Sequence, residues 1–192
     1  MPSVVFIRGV NVGGHNVFRP SVLATQLADL GVVSIGAVGT FVVRAEADHA
    51  TIRRAFLKRL SFDAQLMICP ARDVIDLVNL DPFSSDIARK ADAHYVCVLE
   101  QRLRNRPRLP FYVPEGRNWQ VGVTAIHGQF VAALFRRVGK NVLYPNQVVE
   151  KWLGVATTTR GWPTLLKVRQ ALERGPAITM NAKGAKPAKK TT

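Results

Sequence analysis

A glycine-rich loop near the N-terminus carries the first residues that could bind a ligand. It reads Arg8-Gly9-Val10-Asn11-Val12-Gly13-Gly14-His15-Asn16 and joins a β-branched segment to a predicted helix. Glycines allow close backbone approach, and amides near a helix N-terminus attract anions. The spacing fits neither GxGxxG nor GxxxxGK(S/T), so no standard phosphate-binding mechanism follows. Two interpretations stay open: Arg8, Asn11, Gly13 and Gly14 bind a ligand, or the loop packs on the second half of the chain with Arg8 in a salt bridge.

A second polar group, Thr158-Thr159-Arg160, precedes the last predicted helix. A guanidinium binds a carboxylate or phosphate through two parallel hydrogen bonds, and Thr158 or Thr159 could add a hydroxyl. The alternative is structural: Arg160 pairs with an acid across a domain boundary while Trp162 fills the core. If the two groups converge, Arg8, Asn11, Gly13, Gly14, Thr158, Thr159 and Arg160 would form one site for a small anionic ligand.

No catalytic residue, cofactor or metal site is predicted. Cys69 and Cys97 lie in apolar segments, outside any CxxC pair and without His at zinc-ligand spacing, which favours buried, reduced thiols. His15 lies in the loop without an Asp or Cys at an informative spacing. The carboxylates are scattered and form no readable acid–base pair. Whether the protein is an enzyme, and in what oligomeric state it exists, is left open.

The charge is unevenly distributed and suggests a second class of function. The net charge is +14; residues 1–96 hold 10 Lys and Arg against 9 Asp and Glu, and residues 97–192 hold 17 against 4. Such a field attracts nucleic acid, although a basic solubilising surface is the alternative. The predicted nucleic-acid contacts are in a basic tail, residues 176–192, that we expect to be disordered. They are Lys183, Lys186, Lys189 and Lys190.

The elements that position these groups follow from local patterns. Alternating or β-branched segments and amphipathic segments give the order β-α-β-β-α-β over residues 3–70, followed by a helix that stops before Asp81-Pro82. This order predicts an α+β protein with a ferredoxin-like antiparallel sheet. A rougher β-x-β-β-α-β-α order then predicts a second, related and smaller α+β subdomain. We place the subdomains at residues 1–83 and 93–175.

Sequence motifs at both ends of the chain are similar to those of a known family. Arg8 to Asn16 resembles the RGINVGG signature of the bacterial domain-of-unknown-function family 1697, and the match continues through Leu23, Leu27, Leu30 and Gly31 and at Pro82-Phe83. Glu150-Lys151-x-Leu153-Gly154 and Thr158-Thr159-Arg160-x-Trp162-x-Thr164-x-x-Lys167 resemble later family segments. The resemblance spans roughly residues 3–172 and implies a two-part, ferredoxin-like α+β fold without an established activity.

This chain departs from the family pattern at four places. Val38-Gly39-Thr40 replaces Ser-Gly-Asn, Arg19-Pro20 replaces Pro-Met, and Gly161 and Pro163 replace the two Asn of TTRNWNT. Any contact that those Asn side chains make in the family is therefore lost here.

The absence of a long apolar segment or a basic leader predicts a cytoplasmic protein without a membrane span.

Overall fold

The architecture is that of a computed structural model, which describes residues 1–10 and 18–174. This part of the chain contains nine strands and six α-helices. The strands are β1 Ser3–Ile7, β2 Val32–Ser34, β3 Thr40–Val43, β4 Leu66–Pro70, β5 Ala93–Leu99, β6 Phe111–Val113, β7 Val121–His127, β8 Phe130–Phe135 and β9 Thr157–Gly161. The helices are α1 Pro20–Gln26, α2 His49–Leu57, α3 Ala71–Leu80, α4 Asp86–Arg89, α5 Pro145–Leu153 and α6 Trp162–Glu173.

The first sheet has the predicted ferredoxin-like arrangement. Its strand order is β2-β3-β1-β4, and β1 pairs antiparallel with both β3 and β4. The helix α1 connects β1 to β2, and α2 connects β3 to β4, so that each connection passes over one intervening strand. The helices pack on one face of the sheet, where Leu23, Ile52 and Phe56 join the core. The predicted α+β fold class is confirmed.

The second sheet repeats this strand order and extends it. Its order is β6-β7-β8-β5-β9, so β7-β8-β5-β9 corresponds in topology to β2-β3-β1-β4 of the first sheet. The short strand β6 adds one strand at the edge and makes the sheet larger than the first, although the sequence pattern favoured a smaller second unit. Only α5 covers the outer face, because residues 100–120 connect β5 to β7 through β6 instead of a helix.

The two sheets face each other across a shared apolar core. Val4 and Phe6 of β1 and Met67 of β4 pack in the same cluster as Val98 of β5 and Phe130 of β8. The Phe6 and Phe130 rings meet edge to face with their centroids 6.2 Å apart. This second layer explains why all five residues of β1 are buried: alternate side chains contact the helices on one side and the other sheet on the opposite side.

Additional helices complete the shared core and connect the two halves. Side chains of α3 and α6 belong to this same cluster, among them Val74, Leu77, Leu165 and Val168. Arg44, which follows β3, donates to the Ala171 carbonyl oxygen of α6 at 2.9 Å. The ion pair between Arg102 and Asp73 joins the β5–β6 connection to α3. The division into residues 1–83 and 93–175 stays a prediction, and the predicted tail lies outside the described residues.

Two local features of the fold bear on the stability and the site. Asp48 caps α2 by accepting a hydrogen bond from the Thr51 amide at 2.7 Å. The last strand, β9, extends to Gly161, which places Arg160 inside a strand. In the described part of the chain, no helix is long and apolar enough to cross a membrane.

Candidate functional site

A cleft of about 500 Å³ opens where the two sheets meet. Its walls come from the end of β1, the β2–β3 turn, the whole of β9 and the first turns of α5 and α6. The lining residues are Ile7, Arg8, Gly9, Val10, Val38, Asn146, Thr157, Thr158, Thr159, Arg160, Gly161 and Thr164. The N-terminal and C-terminal sequence motifs therefore share one cavity, although they are about 150 positions apart.

The side chain of Arg160 crosses from β9 to the first sheet. Its Nε donates to Thr40 Oγ1 at 2.8 Å, and its Nη2 donates to the carbonyl oxygens of Ile7 at 2.8 Å and Gly39 at 3.2 Å. Its Nη1 donates to Thr158 Oγ1 and to the Thr159 carbonyl oxygen, both at 2.8 Å. These contacts use all five guanidinium N–H groups, so Arg160 connects the two sheets.

The charge of Arg160 has no acidic partner in the described part of the chain. All five acceptors are neutral oxygens, and the residue is only 6% exposed. Burial lowers the pKa of Arg160 to about 10, which still leaves it protonated at neutral pH. Arg160 thus has a structural role between the two sheets, but its partners are neutral oxygens and not the acid that the structural interpretation expected. An unbalanced positive charge remains in the wall of the cleft.

Arg8, in contrast, is balanced by an acid from the second half of the chain. Its Nη2 lies 2.8 Å from Glu150 Oε1, and its Nη1 donates to Gln65 Oε1 at 2.8 Å. Glu150 Oε1 also accepts from the Thr157 amide at 2.7 Å. One carboxylate thus connects the end of β1 with α5 and β9 at the cleft. Because Glu150 neutralises its charge, Arg8 helps to position the cleft wall and adds no net charge to it.

The open edge of β9 presents backbone groups to the cleft. In an antiparallel pair, successive amides along a strand point alternately to the two sides. The Thr157 amide points away from β5, because it donates to Glu150. The Thr159 amide, two residues later, therefore lies on the same open side. The Thr159 hydroxyl faces elsewhere and contacts Cys97 Sγ at 3.4 Å.

Two helix N-termini add to the positive character of the cleft. Gly161 and Thr164 are the N-cap and third residue of α6, and Asn146 is the second residue of α5. Neither helix has a side-chain cap at its N-terminus. Helix N-termini carry partial positive charge and unpaired amides, so both ends favour an anion in the cleft.

Gly39 is the residue that allows the β2–β3 turn to lie against the end of β1. It has a φ of 69°, and a Cβ atom there would lie 2.6 Å from Val10 Cγ2 and 3.1 Å from Ile7 Cβ. Only glycine fits this turn without displacing β1. Its carbonyl oxygen accepts from both the Ile7 amide and Arg160, so the turn supports the cleft directly.

The structure brings together four of the seven predicted ligand-binding residues: Arg8, Thr158, Thr159 and Arg160. The other three, Asn11, Gly13 and Gly14, lie outside the described residues, as do Lys183, Lys186, Lys189 and Lys190. Sequence reasoning missed the residues that join the two groups. Glu150 and Thr164 could have been found from the family motifs, and Thr40 and Gly39 from the altered turn segment; Gln65 and Asn146 carry no comparable signal.

The cysteines and the acidic residues offer no second reactive centre in the described chain. Both cysteines are free and buried. Burial raises the pKa of Cys69 well above its ordinary value and that of Cys97 to about 12. Both thiols are therefore protonated at neutral pH and poorly nucleophilic. Within residues 1–10 and 18–174, no group of three or more His, Cys, Asp and Glu side chains could hold a metal ion.

Comparison with solved structures supports the fold. A conserved bacterial protein from Streptococcus pneumoniae, SP0830, is similar in structure with a TM-score of 0.55 and 16% sequence identity. The similarity covers 89% of this chain and 98% of the other. No curated protein matches the sequence.

The family comparison agrees with the motifs described above. The family described as "Protein of unknown function (DUF1697)" matches residues 1–110, which is more than half of the chain. This match includes β1, Arg8 to Val10 and the β2–β3 turn, which together form the first-sheet side of the cleft. The protein therefore belongs to the DUF1697 family.

Proposed function

We propose that the cleft between the two sheets binds a small anionic ligand carrying a phosphate or carboxylate group. The observation that supports this most strongly is the buried Arg160 guanidinium, whose five partners in the described chain are all neutral oxygens. A buried charge without a counter-ion is costly. An anion in the adjacent cleft would offset that cost.

Arg160 acts on the ligand through its neighbours, because its own N–H groups are occupied. Thr158 Oγ1 accepts from Arg160 Nη1, and a hydroxyl that accepts from a cation becomes a better donor itself. The Thr158 proton, the Thr159 amide and the Thr164 amide in the first turn of α6 then supply hydrogen bonds to the anion. Arg8 and Glu150 together add no net charge and hold the walls in place.

The test uses the melting temperature of the full chain with inorganic phosphate, sulfate or acetate as the probe, against chloride at equal ionic strength. A ligand that binds only the folded protein raises the melting temperature, by an amount that grows with its concentration. We expect phosphate or sulfate to do so in the millimolar range. If all three anions behave like chloride, the proposal is wrong.

Matched threonine variants test whether the anion binds at Thr158. Thr158→Val removes the polarised hydroxyl and should abolish the phosphate effect, whereas Thr158→Ser keeps the hydroxyl and should retain it. Thr157→Val is the control, because the Thr157 hydroxyl donates to the Val98 carbonyl oxygen at 2.9 Å instead of facing the cleft. Equal phosphate effects in all three variants would place the anion elsewhere.

A second candidate function, binding of nucleic acid, is favoured by one observation. Arg104, Arg106 and Arg108 are all exposed on the β5–β6 connection, and none of them has an acid within 4.0 Å in the described chain. Each phosphate contact lowers the slope of log affinity against log salt by about 0.9 for duplex DNA. We expect Arg104→Gln/Arg106→Gln/Arg108→Gln to flatten that slope by about 2–3 units. No binding of duplex or single-stranded DNA by the full chain at low salt would exclude this candidate.

A further inference from the structure

A second cavity lies on the outer face of the second sheet, and its origin is topological. The first sheet has two helices on its outer face, α1 and α2, whereas α5 alone covers the second. Residues 100–120 form β6 and irregular segments where the corresponding unit of the first half has α1. The space that a second helix would fill therefore remains partly open between α5 and β6.

The cavity, which we call the outer groove, measures about 580 Å³. This volume falls in the range of sites that hold small organic molecules. Its apolar lining consists of Phe111 and Val113 from β6, Leu143, and Val148 and Trp152 from α5. The Phe111 and Trp152 rings stack with centroids 4.2 Å apart and planes 4° from parallel, which gives the groove one flat wall.

Two polar residues complete the lining and set its charge. Gln147 and Lys151 lie four positions apart on α5 and so share one side of the helix. Both are exposed, and Lys151 has no acid within 4.0 Å among the described residues. Its neighbour Glu150 belongs to the anion cleft, where it pairs with Arg8. The rim of an apolar groove thus carries one cation and one amide donor.

We propose that the outer groove binds an apolar monocarboxylate, with the apolar body against Phe111, Val148 and Trp152 and the carboxylate at Lys151 and Gln147. Apolar burial supplies most of the affinity, and an ammonium at the rim selects an acid over its uncharged analogue. This site is separate from the cleft between the sheets and does not depend on the function proposed for that cleft.

The test uses 11-bromoundecanoate, because a bromine atom quenches tryptophan fluorescence at short range and Trp152 lines the groove. We expect saturable quenching in the full chain. Trp152→Phe should remove the quenching, while calorimetry still detects binding. The remaining tryptophans, Trp119 and Trp162, lie in the shared core on the opposite face of the sheet, where they contact Tyr112 and Phe83, and should not be quenched.

Variants that change the charge or the shape of the outer groove test whether it recognises the carboxylate of the ligand. Lys151→Gln should weaken binding about threefold to fivefold, the size expected for an exposed charge pair, and 11-bromoundecanol should bind the unmodified chain more weakly by a similar factor. Lys167→Gln, which removes the same charge from the exposed face of α6, should have no effect. Val148→Phe should fill the groove and abolish binding without changing the circular dichroism spectrum.

Three outcomes would overturn the proposal. The first is an absence of quenching up to millimolar acid. The second is equal affinity for the acid and the alcohol, or equal losses in Lys151→Gln and Lys167→Gln. The third is quenching by brominated phosphatidylglycerol vesicles without binding of the monomeric acid, because the groove would then be a lipid-surface contact.

Discussion

At the scale of single residues, Arg160 both connects the two sheets and supports the proposed anion site. It is buried, crosses between the sheets, and makes five hydrogen bonds to neutral oxygens of both halves. Its pKa is lowered by burial but stays near 10. Arg160 therefore stays protonated at neutral pH and keeps its positive charge in the wall of the cleft.

Arg160→Met should destabilise the fold strongly. The methionine fills much of the volume but removes the donor to the Ile7 carbonyl oxygen and the Thr40 hydroxyl, while the Gly39 carbonyl oxygen keeps its bond from the Ile7 amide. Hydrogen bonds to charged groups contribute about 1.5–3 kcal/mol each, and their losses are not additive. We expect a decrease of about 3 kcal/mol or more in the free energy of unfolding, measured in urea.

Arg160→Lys is the informative companion variant. A lysine keeps the charge but has three donors in place of the planar set of five, so it should recover only part of the loss. If Arg160→Met were within about 0.5 kcal/mol of the unmodified protein, as an ordinary surface substitution is, Arg160 would not connect the sheets in solution.

At the scale of elements, the N-terminus of α2 makes a contribution to the stability of the fold that depends on pH. Hydrogen bonds from the Thr51 amide and hydroxyl lower the pKa of Asp48 below its ordinary value. A group whose pKa is lower in the folded state stabilises the fold above its unfolded pKa, and loses that contribution as the pH falls through the folded pKa. Asp48 therefore contributes fully at pH 7, and this contribution is lost as the pH falls below its unfolded pKa and through its lowered folded pKa.

The Asp48→Asn variant keeps a side chain that can cap α2 but removes the carboxylate that titrates. Asparagine is also a good N-cap, so the variant should stay close to the unmodified protein at pH 7. Its urea midpoint should fall less between pH 7 and pH 3. An identical acid dependence in the two proteins would show that the Asp48 carboxylate plays no part in it.

A second element-scale prediction concerns the irregular strand β7. Its pairing with β8 shifts by one residue between Val123 and Ala125, as in a β-bulge. The Thr124 hydroxyl at this point is buried and has no hydrogen-bond partner in the described structure. Thr124→Val removes the unsatisfied group at nearly constant volume and suits a strand.

Thr124→Val should raise the free energy of unfolding by about 1 kcal/mol and the melting temperature by about 2–4 °C. Thr124→Ser is the control, because it keeps the hydroxyl and loses the methyl group. It should be less stable than the unmodified protein. A valine variant that melts at a lower temperature would indicate that the hydroxyl finds a partner in solution.

At the scale of the whole molecule, the two halves share one core. Val4, Phe6 and Met67 of the first sheet pack against Val98 and Phe130 of the second. Separating the halves would expose these side chains, at about 25 cal/mol for each Å² of apolar surface. We therefore expect one cooperative unfolding transition for the full chain, with coincident fluorescence and circular dichroism curves.

A fragment of residues 1–92 should not fold cooperatively by itself, although it contains a complete ferredoxin-like strand order. Mixing it with a fragment of residues 93–192 should restore the native spectrum, since the shared core re-forms. A fragment that unfolds in a sharp transition on its own would instead support independent domains at the predicted boundaries of residues 83 and 93.

The sequence by itself determined the features that depend on neighbouring residues. Asp48 specifies the start of α2 through a bond to a residue three positions away. Gly31 and Gly154 adopt positive φ where helical segments end, as expected for helix C-termini. The alternating and periodic segments gave the strand order of the first sheet through the rule that short connections link adjacent or once-removed strands. The family followed from the local motifs.

Only the tertiary structure decided what surrounds Arg160. The sequence pattern placed Arg160 before a helix and suggested an acid as its partner. In the structure β9 extends to Gly161, and three of the five hydrogen bonds of Arg160 reach Thr40, Ile7 and Gly39, which are more than 100 positions away. Carbonyl groups occur at every residue, so no residue type signals such a contact. Likewise, the buried second face of β1 and the outer groove arise from how two sheets pack and from one missing helix. Both depend on contacts between distant segments, which local periodicity does not encode.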